Sequence, residues 1–151
     1  MSLKIYVSRP ICGCSYPEVV GWYDQTIKKL RKMGYSVYHP MTNKKALRTE
    51  TEFKAHGYGN PESTNHAIFE RDRWMTENCD VFITYLANAQ IVSIGSMMEL
   101  AWASLLGKHT IVVIDKENIH EHAFVLEAAD LVLPTYEEAM KYLRSFISQE
   151  L

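Results

Sequence analysis

His109-Thr110-Ile111-Val112-Val113-Ile114 is the most hydrophobic short run in the chain. It is too short for a helix and apolar on both of its alternating faces. It therefore reads as a strand buried on both sides, at the centre of a sheet. Just upstream, Ser96 to Leu106 carries helical spacing and ends at Gly107, a helix-terminating residue. Before it, Asp80-Val81-Phe82-Ile83-Thr84 is a second buried strand, and 85–95 is a loop. Strand, helix and strand in this order form a crossover unit with parallel strands.

The same alternation extends in both directions. Lys4-Ile5-Tyr6-Val7-Ser8 reads as a first strand, ended by Arg9-Pro10. Val19, Tyr23, Ile27, Leu30 and Met33 then recur at helical spacing before Gly34. Tyr35 to Tyr38 is a short strand stopped by Pro40, and 41–63 is a long polar loop with one helical turn. A helix follows from Thr64 or Asn65 to Glu77. Downstream come a short helix from Glu121 to Ala128, a strand Leu131 to Leu133, and a last helix with Tyr136, Ala139, Met140, Leu143 and Ile147 on one face. The pattern predicts a single α/β domain over residues 1–151: a five-stranded parallel sheet between two helical layers. Ligands of such sheets bind outside the carboxyl ends of the strands. The loops after Ser8, Thr84 and Ile114 are therefore the places to look.

Bulk properties narrow the function. A chain of 151 residues with 47% hydrophobic content can bury one core without disulfide staples. A net charge of -2 argues against a protein that coats nucleic acid. No apolar run reaches membrane-spanning length, and Met1-Ser2-Leu3-Lys4 leads straight into a strand pattern rather than a signal peptide. Cys12, Cys14 and Cys79 read as reduced thiols, so a cytoplasmic location is expected. Gly-x-Gly-x-x-Gly, the P-loop and the Gly-x-Ser-x-Gly elbow are all absent. His120 and His122 are two apart and would point to different faces of a helix, so no metal site is expected.

Three features converge on the strand ends. Tyr6 lies in the first strand, where an aromatic ring ordinarily packs in the core. Asp72 lies in Glu70-Arg71-Asp72-Arg73, a run that ordinarily forms a solvated helix face. Ser93-Ile94-Gly95-Ser96-Met97-Met98-Glu99 lies where a loop enters a helix. Backbone N–H groups there, with the hydroxyls of Ser93 and Ser96, suit an anion or a cluster of ligand oxygens. Gly95 permits a tight turn and close approach. Ser96-x-x-Glu99 also fits a capping box, so spacing alone leaves Glu99 between capping and catalysis. Trp74, Trp102 and Met98 read as core or subunit interface, and Lys44, Lys45 and Arg48 as solvated loop cations that could close over an anion.

Three segments together resemble the nucleoside 2-deoxyribosyltransferase family, which includes related deoxynucleoside 5'-monophosphate N-glycosidases. They are Lys4-Ile5-Tyr6-Val7, Arg71-Asp72 leading to Cys79-Asp80-Val81, and Ser93-Ile94-Gly95-Ser96-x-x-Glu99-Leu100-x-x-Ala103-x-x-x-Gly107-Lys108. The resemblance implies a flavodoxin/Rossmann-like three-layer sandwich and an enzyme that breaks an N-glycosidic bond. It implies that Glu99 attacks C1' of the sugar, that Tyr6 holds this nucleophile, and that Asp72 serves the departing base. Asn118-Ile119-His120-x-His122-Ala123-Phe124 resembles the segment that reaches a neighbouring subunit's active site. Asn118 and His122 are thus candidate substrate contacts in a homodimer or larger homo-oligomer with shared sites. No cofactor is implied. The alternative is a non-catalytic nucleotide-binding or sensing module of the same fold.

The chain departs from the transferase pattern at Ser93, where enzymes acting on free nucleosides often carry an aspartate. A hydroxyl can donate to a 5'-phosphate that a carboxylate would repel. The 5'-monophosphate glycosidases have Ser-x-Gly here, as Ser93-Ile94-Gly95 does. Ser8 and Arg9 could add phosphate contacts. Nucleoside and nucleotide substrates both remain open.

Overall fold

The computed structural model describes residues 2–149; Met1, part of the amino-terminal expectation above, lies outside them. Five strands form one parallel sheet in the order β2-β1-β3-β4-β5: β1 (Lys4–Ser8), β2 (Ser36–Tyr38), β3 (Val81–Tyr85), β4 (His109–Val113) and β5 (Leu131–Leu133). The helices are α1 (Tyr16–Met33), α2 (Asn65–Glu77), α3 (Ile94–Leu105), α4 (Ala123–Ala128) and α5 (Tyr136–Ser148). This is the expected α/β three-layer sandwich, with the flavodoxin-like strand order. The order reverses between β1 and β3, so a crevice opens above their carboxyl ends.

The alternation of β1 builds the two cores. Ile5 and Val7 pack on one side with Val19 and Leu30 of α1 and Ala139 and Leu143 of α5. Tyr6 points the other way and packs with Phe82, Val112, Met75 of α2, Leu100 and Ala103 of α3, and Val125 of α4. A slip of one residue would exchange these sets, so the register of β1 is tightly specified. Among the described residues no helix is long and apolar enough to cross a membrane.

Several element ends differ from expectation, each for a local reason. Tyr35 is not in β2, because its N–H closes the end of α1 on Leu30 O, beside Gly34 in the left-handed conformation. His122 caps α4 through Nδ1, which accepts the N–H of Phe124, so that helix begins at Ala123 rather than Glu121. The segment between β2 and α2 is a loop with two 3-10 turns, Lys45–Leu47 and Pro61–Ser63, rather than one helical turn. Buried Leu47 and Phe53 pin it to the core.

Candidate active site

The start of α3 sets the geometry of the site. Ser93, not Ser96, is the N-cap: its Oγ accepts the Ser96 N–H at 3.2 Å. The helix therefore begins two residues earlier than expected, and Glu99 sits in its second turn, beyond reach of a capping box. The capping reading of Glu99 is thereby removed. The turn role expected of Gly95 also fails, since it is helical and has no positive φ. A Cβ there would meet nothing within 4 Å, so Gly95 leaves the helix start open to the space above it.

A relay of hydrogen bonds holds this cap. Asn118 Nδ2 donates to Leu86 O and to Asp115 Oδ1, each at 2.7 Å. Asn118 Oδ1 lies 3.1 Å from His120 Nδ1, and His120 Nε2 accepts the Ser93 N–H at 2.8 Å. That acceptor role requires an unprotonated Nε2, in keeping with the downward shift that burial imposes on His120. Ser96 Oγ in turn receives Ser93 Oγ at 2.9 Å and Ser8 Oγ at 3.2 Å. Ser8, Ser93 and Ser96 thus form one hydroxyl cluster between the ends of β1 and α3.

Tyr6, Asp72 and Glu99 meet beside it. Tyr6 is fully buried, stacked on Phe82 with 5.6 Å between ring centroids. Asp72 is 8% exposed and Glu99 7% exposed, unusual burial for carboxylates. The solvated-face reading of Asp72 therefore does not hold. Helices α2 and α3 are tied together by an edge-to-face contact between Phe69 and Trp102, 5.2 Å between centroids. Tyr6 Oη, Asp72 Oδ1 and Glu99 Oε2 are buried without a partner of regular hydrogen-bond geometry, although Tyr6 and Ser8 stand close enough to Glu99 to act on its proton through their hydroxyls. Buried polar atoms left so poorly paired call for an explanation, and the Asp72 and Glu99 oxygens, which face a cavity, point to a ligand.

Burial raises the pKa of Glu99, and the nearby charge of Asp72 raises it further, against the pull of Ser8, Lys44 and Tyr6. Burial also raises Asp72, opposed by Lys44 and Arg71. Tyr6 is raised by burial and by both carboxylates. Two carboxyls so placed resist double ionisation and titrate as a pair that retains a proton towards neutral pH.

Asp72 and Glu99 line a cavity of about 460 Å³, together with Arg9, Ser93, Gly95 and Ser96. The volume suits a small-molecule ligand. Arg9 packs its guanidinium 5.1 Å from the centre of the Trp22 ring and donates through Nε to Pro10 O. Tyr6 and Ser8 are buried and do not line it; Ser8 reaches it only through its hydrogen bond to Ser96 Oγ. Asn118 and His122 are not brought to this cavity: Asn118 braces His120, and His122 lines a separate apolar cavity of about 430 Å³. Sequence reasoning missed the aromatic walls Phe53 and Tyr58; Met98 and Trp102, expected in a core or a subunit interface, line the cavity within this chain. The available signal was Phe53 and Tyr58 themselves, two aromatics in an otherwise polar stretch. Lys44, read as a solvated cation, is buried here, whereas Lys45 and Arg48 are exposed.

The family profile described as nucleoside 2-deoxyribosyltransferase matches residues 6–140. No curated protein matches by sequence. Among solved structures, a 2-deoxyribosyltransferase from Leishmania mexicana aligns with TM-score 0.65 and 18% identity, covering 99% of each chain. One from Bacillus psychrosaccharolyticus gives TM-score 0.65 and 19% identity, covering 92% of this chain and 91% of that one. The CMP N-glycosidase BcmB of Clostridium botulinum gives TM-score 0.59 and 16% identity, covering 95% and 98%. At these identities the likeness speaks to the fold; the profile speaks to the family.

Proposed function

The chain belongs to the nucleoside 2-deoxyribosyltransferase family, enzymes of the N-glycosidic bond, and on that premise we propose that Glu99 is its nucleophile, acting on a (deoxy)nucleoside or its 5'-monophosphate. The observation that carries this reading is the pair of buried carboxylates, Glu99 and Asp72, each with an unpartnered oxygen, on one cavity. A pocket that only recognised a nucleotide would gain nothing from two such groups, whose burial is unfavourable.

The steps follow from the pair. One Glu99 oxygen attacks C1', the C1'–N bond breaks, and its electron pair leaves with the base. Positive charge developing at C1' favours the form in which Glu99 is ionised and the shared proton sits on Asp72. Asp72 passes that proton to the base nitrogen. Water or a second base then attacks C1', the Glu99–sugar bond breaks, and Asp72 takes up the proton released. Two displacements retain the anomeric configuration. Tyr6 holds Glu99 in line. The start of α3, with Ser93 and Ser96, and Arg9 would receive the sugar's 5' end, with Ser8 behind them on Ser96 Oγ. A second copy of the chain would complete the site with the segment that holds Asn118 and His122.

The test incubates the protein with deoxynucleosides and their 5'-monophosphates, with and without an acceptor base, and follows free base by chromatography. Release is expected, with a sugar adduct on Glu99 visible by intact-mass spectrometry. Glu99→Gln should lower turnover by at least about 10³-fold while remaining folded. Folded protein that releases base from none of these substrates would rule the reading out.

A further inference from the structure

Lys44 is 4% exposed, yet it lines the same cavity as Asp72 and Glu99. Lysines are almost never buried this deeply without a partner. Among the described residues, no ion pair includes its ammonium and no hydrogen bond reaches it. Its position is built rather than accidental. Lys44 N–H donates to Met41 O at 3.2 Å, and Lys44 O accepts the Leu47 N–H at 2.9 Å, with Met41 and Leu47 both in the core. An ammonium has three donors and no acceptor, so the group this side chain awaits must present an acceptor oxygen or nitrogen.

Two kinds of oxygen could fill that role, a phosphate's or a base carbonyl's. Burial lowers the pKa of Lys44, and Asp72, the charge acting on it most strongly, opposes that shift, with Arg71 and Glu99 behind it. A phosphate dianion placed there would face both carboxylates. The cavity offers such a group Arg9 and the start of α3 instead. A base carbonyl is neutral when it binds and becomes negative only as the bond to the sugar breaks. Charge that appears only then is what a fixed buried cation stabilises best.

We propose that Lys44 is a catalytic residue whose ammonium hydrogen-bonds the carbonyl oxygen of the departing nucleobase and holds the charge that oxygen acquires. The proposal rests on the N-glycosidic reading above. When the C1'–N bond breaks, its electron pair enters the base ring. In a base with a carbonyl conjugated to the glycosidic nitrogen, the negative charge is shared with that oxygen. The proton for the ring nitrogen still comes from Asp72, and Lys44 keeps its own. The favoured substrates are therefore those whose base carries such a carbonyl.

The experiment compares wild type, Lys44→Met and Lys44→Arg on deoxyuridine, 5-substituted deoxyuridines whose bases are increasingly acidic, deoxyadenosine, and the corresponding 5'-monophosphates. Lys44→Met should lower kcat on deoxyuridine by about 10²-fold with little change in KM. The loss should shrink as the leaving base becomes more acidic, and Lys44→Arg should restore part of it. The melting temperature of Lys44→Met should not fall, because no ion pair is broken. Equal losses along the series, a change in KM alone, or wild-type preference for deoxyadenosine would overturn the proposal. A loss confined to the 5'-monophosphates would assign Lys44 to phosphate and overturn it as well. Wild type inactive on every substrate would instead overturn the glycosidic reading, whereas active wild type matched by Lys44→Met overturns only the role of Lys44.

Discussion

Glu99 and Asp72 hold protons more tightly in the folded chain than in the unfolded one, and stability must register this. An unfolded carboxyl loses its proton near pH 4. Above that pH the unfolded chain binds fewer protons than the folded one, so stability falls as pH rises. The contribution is fully present below the unfolded pKa and is lost as pH climbs through the raised folded values. Tyr6 and Lys44 face Glu99, and Lys44 and Arg71 face Asp72; the cations limit the rise without cancelling it. Glu99→Gln should therefore be the more stable protein above neutrality, by on the order of 1 kcal/mol, and its stability should depend less on pH. Thermal melts from pH 4 to 9 check this, and equal slopes for the two proteins would contradict it. Tyr6 and Glu99 could be named only through the resemblance of short motifs in the same order, since spacing alone leaves Tyr6 a core aromatic and Glu99 between capping and catalysis. Lys44 could not, because a lysine in a polar stretch has the pattern of a solvated one. Only tertiary folding of 41–63 onto the core buries it.

Helix α3 shows how an element's register decides a residue's role. With Ser96 as cap, Glu99 would be a capping partner; with Ser93 as cap, it is free for chemistry. The sequence pattern puts the cap at Ser96; in the fold Ser93 takes it, with its N–H held by His120 Nε2 from a loop 27 residues away. No local pattern contains that contact. The long, strongly patterned elements were legible for the opposite reason: the alternation of β1 and the helical spacing of α1 and α5 are local signals. Ser93→Ala should lower stability by about 1 kcal/mol through loss of the cap. Ser93→Asp keeps a good cap but adds negative charge at the cavity. It should leave the melting temperature within about 2 °C of wild type. It should also move preference at least about tenfold from 5'-monophosphates towards nucleosides, read as a ratio of kcat/KM. An unchanged ratio would mean that no phosphate approaches Ser93.

At the scale of the whole molecule, the strand order places the cavity at the reversal between β1 and β3, walled on one side by α2 and α3. The neighbouring surface, around α4 and the segment before it, is not finished as a solvent face. Phe124 is 82% exposed, and Val92 and Ile119 are exposed beside it, around the second, apolar cavity. Val92 lines both cavities, so whatever covers the second abuts the first. A contiguous apolar area at the rim of a polar site is the mark of an interface. Under the function proposed above, the expected occupant is a second copy of the chain, which would bring His122 and its neighbours to the partner's cavity. A symmetric dimer would use this surface on both copies. Sedimentation of wild type should then give a dimer or larger assembly. Phe124→Asp should give a folded monomer, because a side chain so exposed carries little of the core. If the partner completes the site, that monomer should lose most of its turnover although Tyr6, Asp72 and Glu99 are untouched. A monomeric wild type, or a monomeric Phe124→Asp with full activity, would show that one chain suffices.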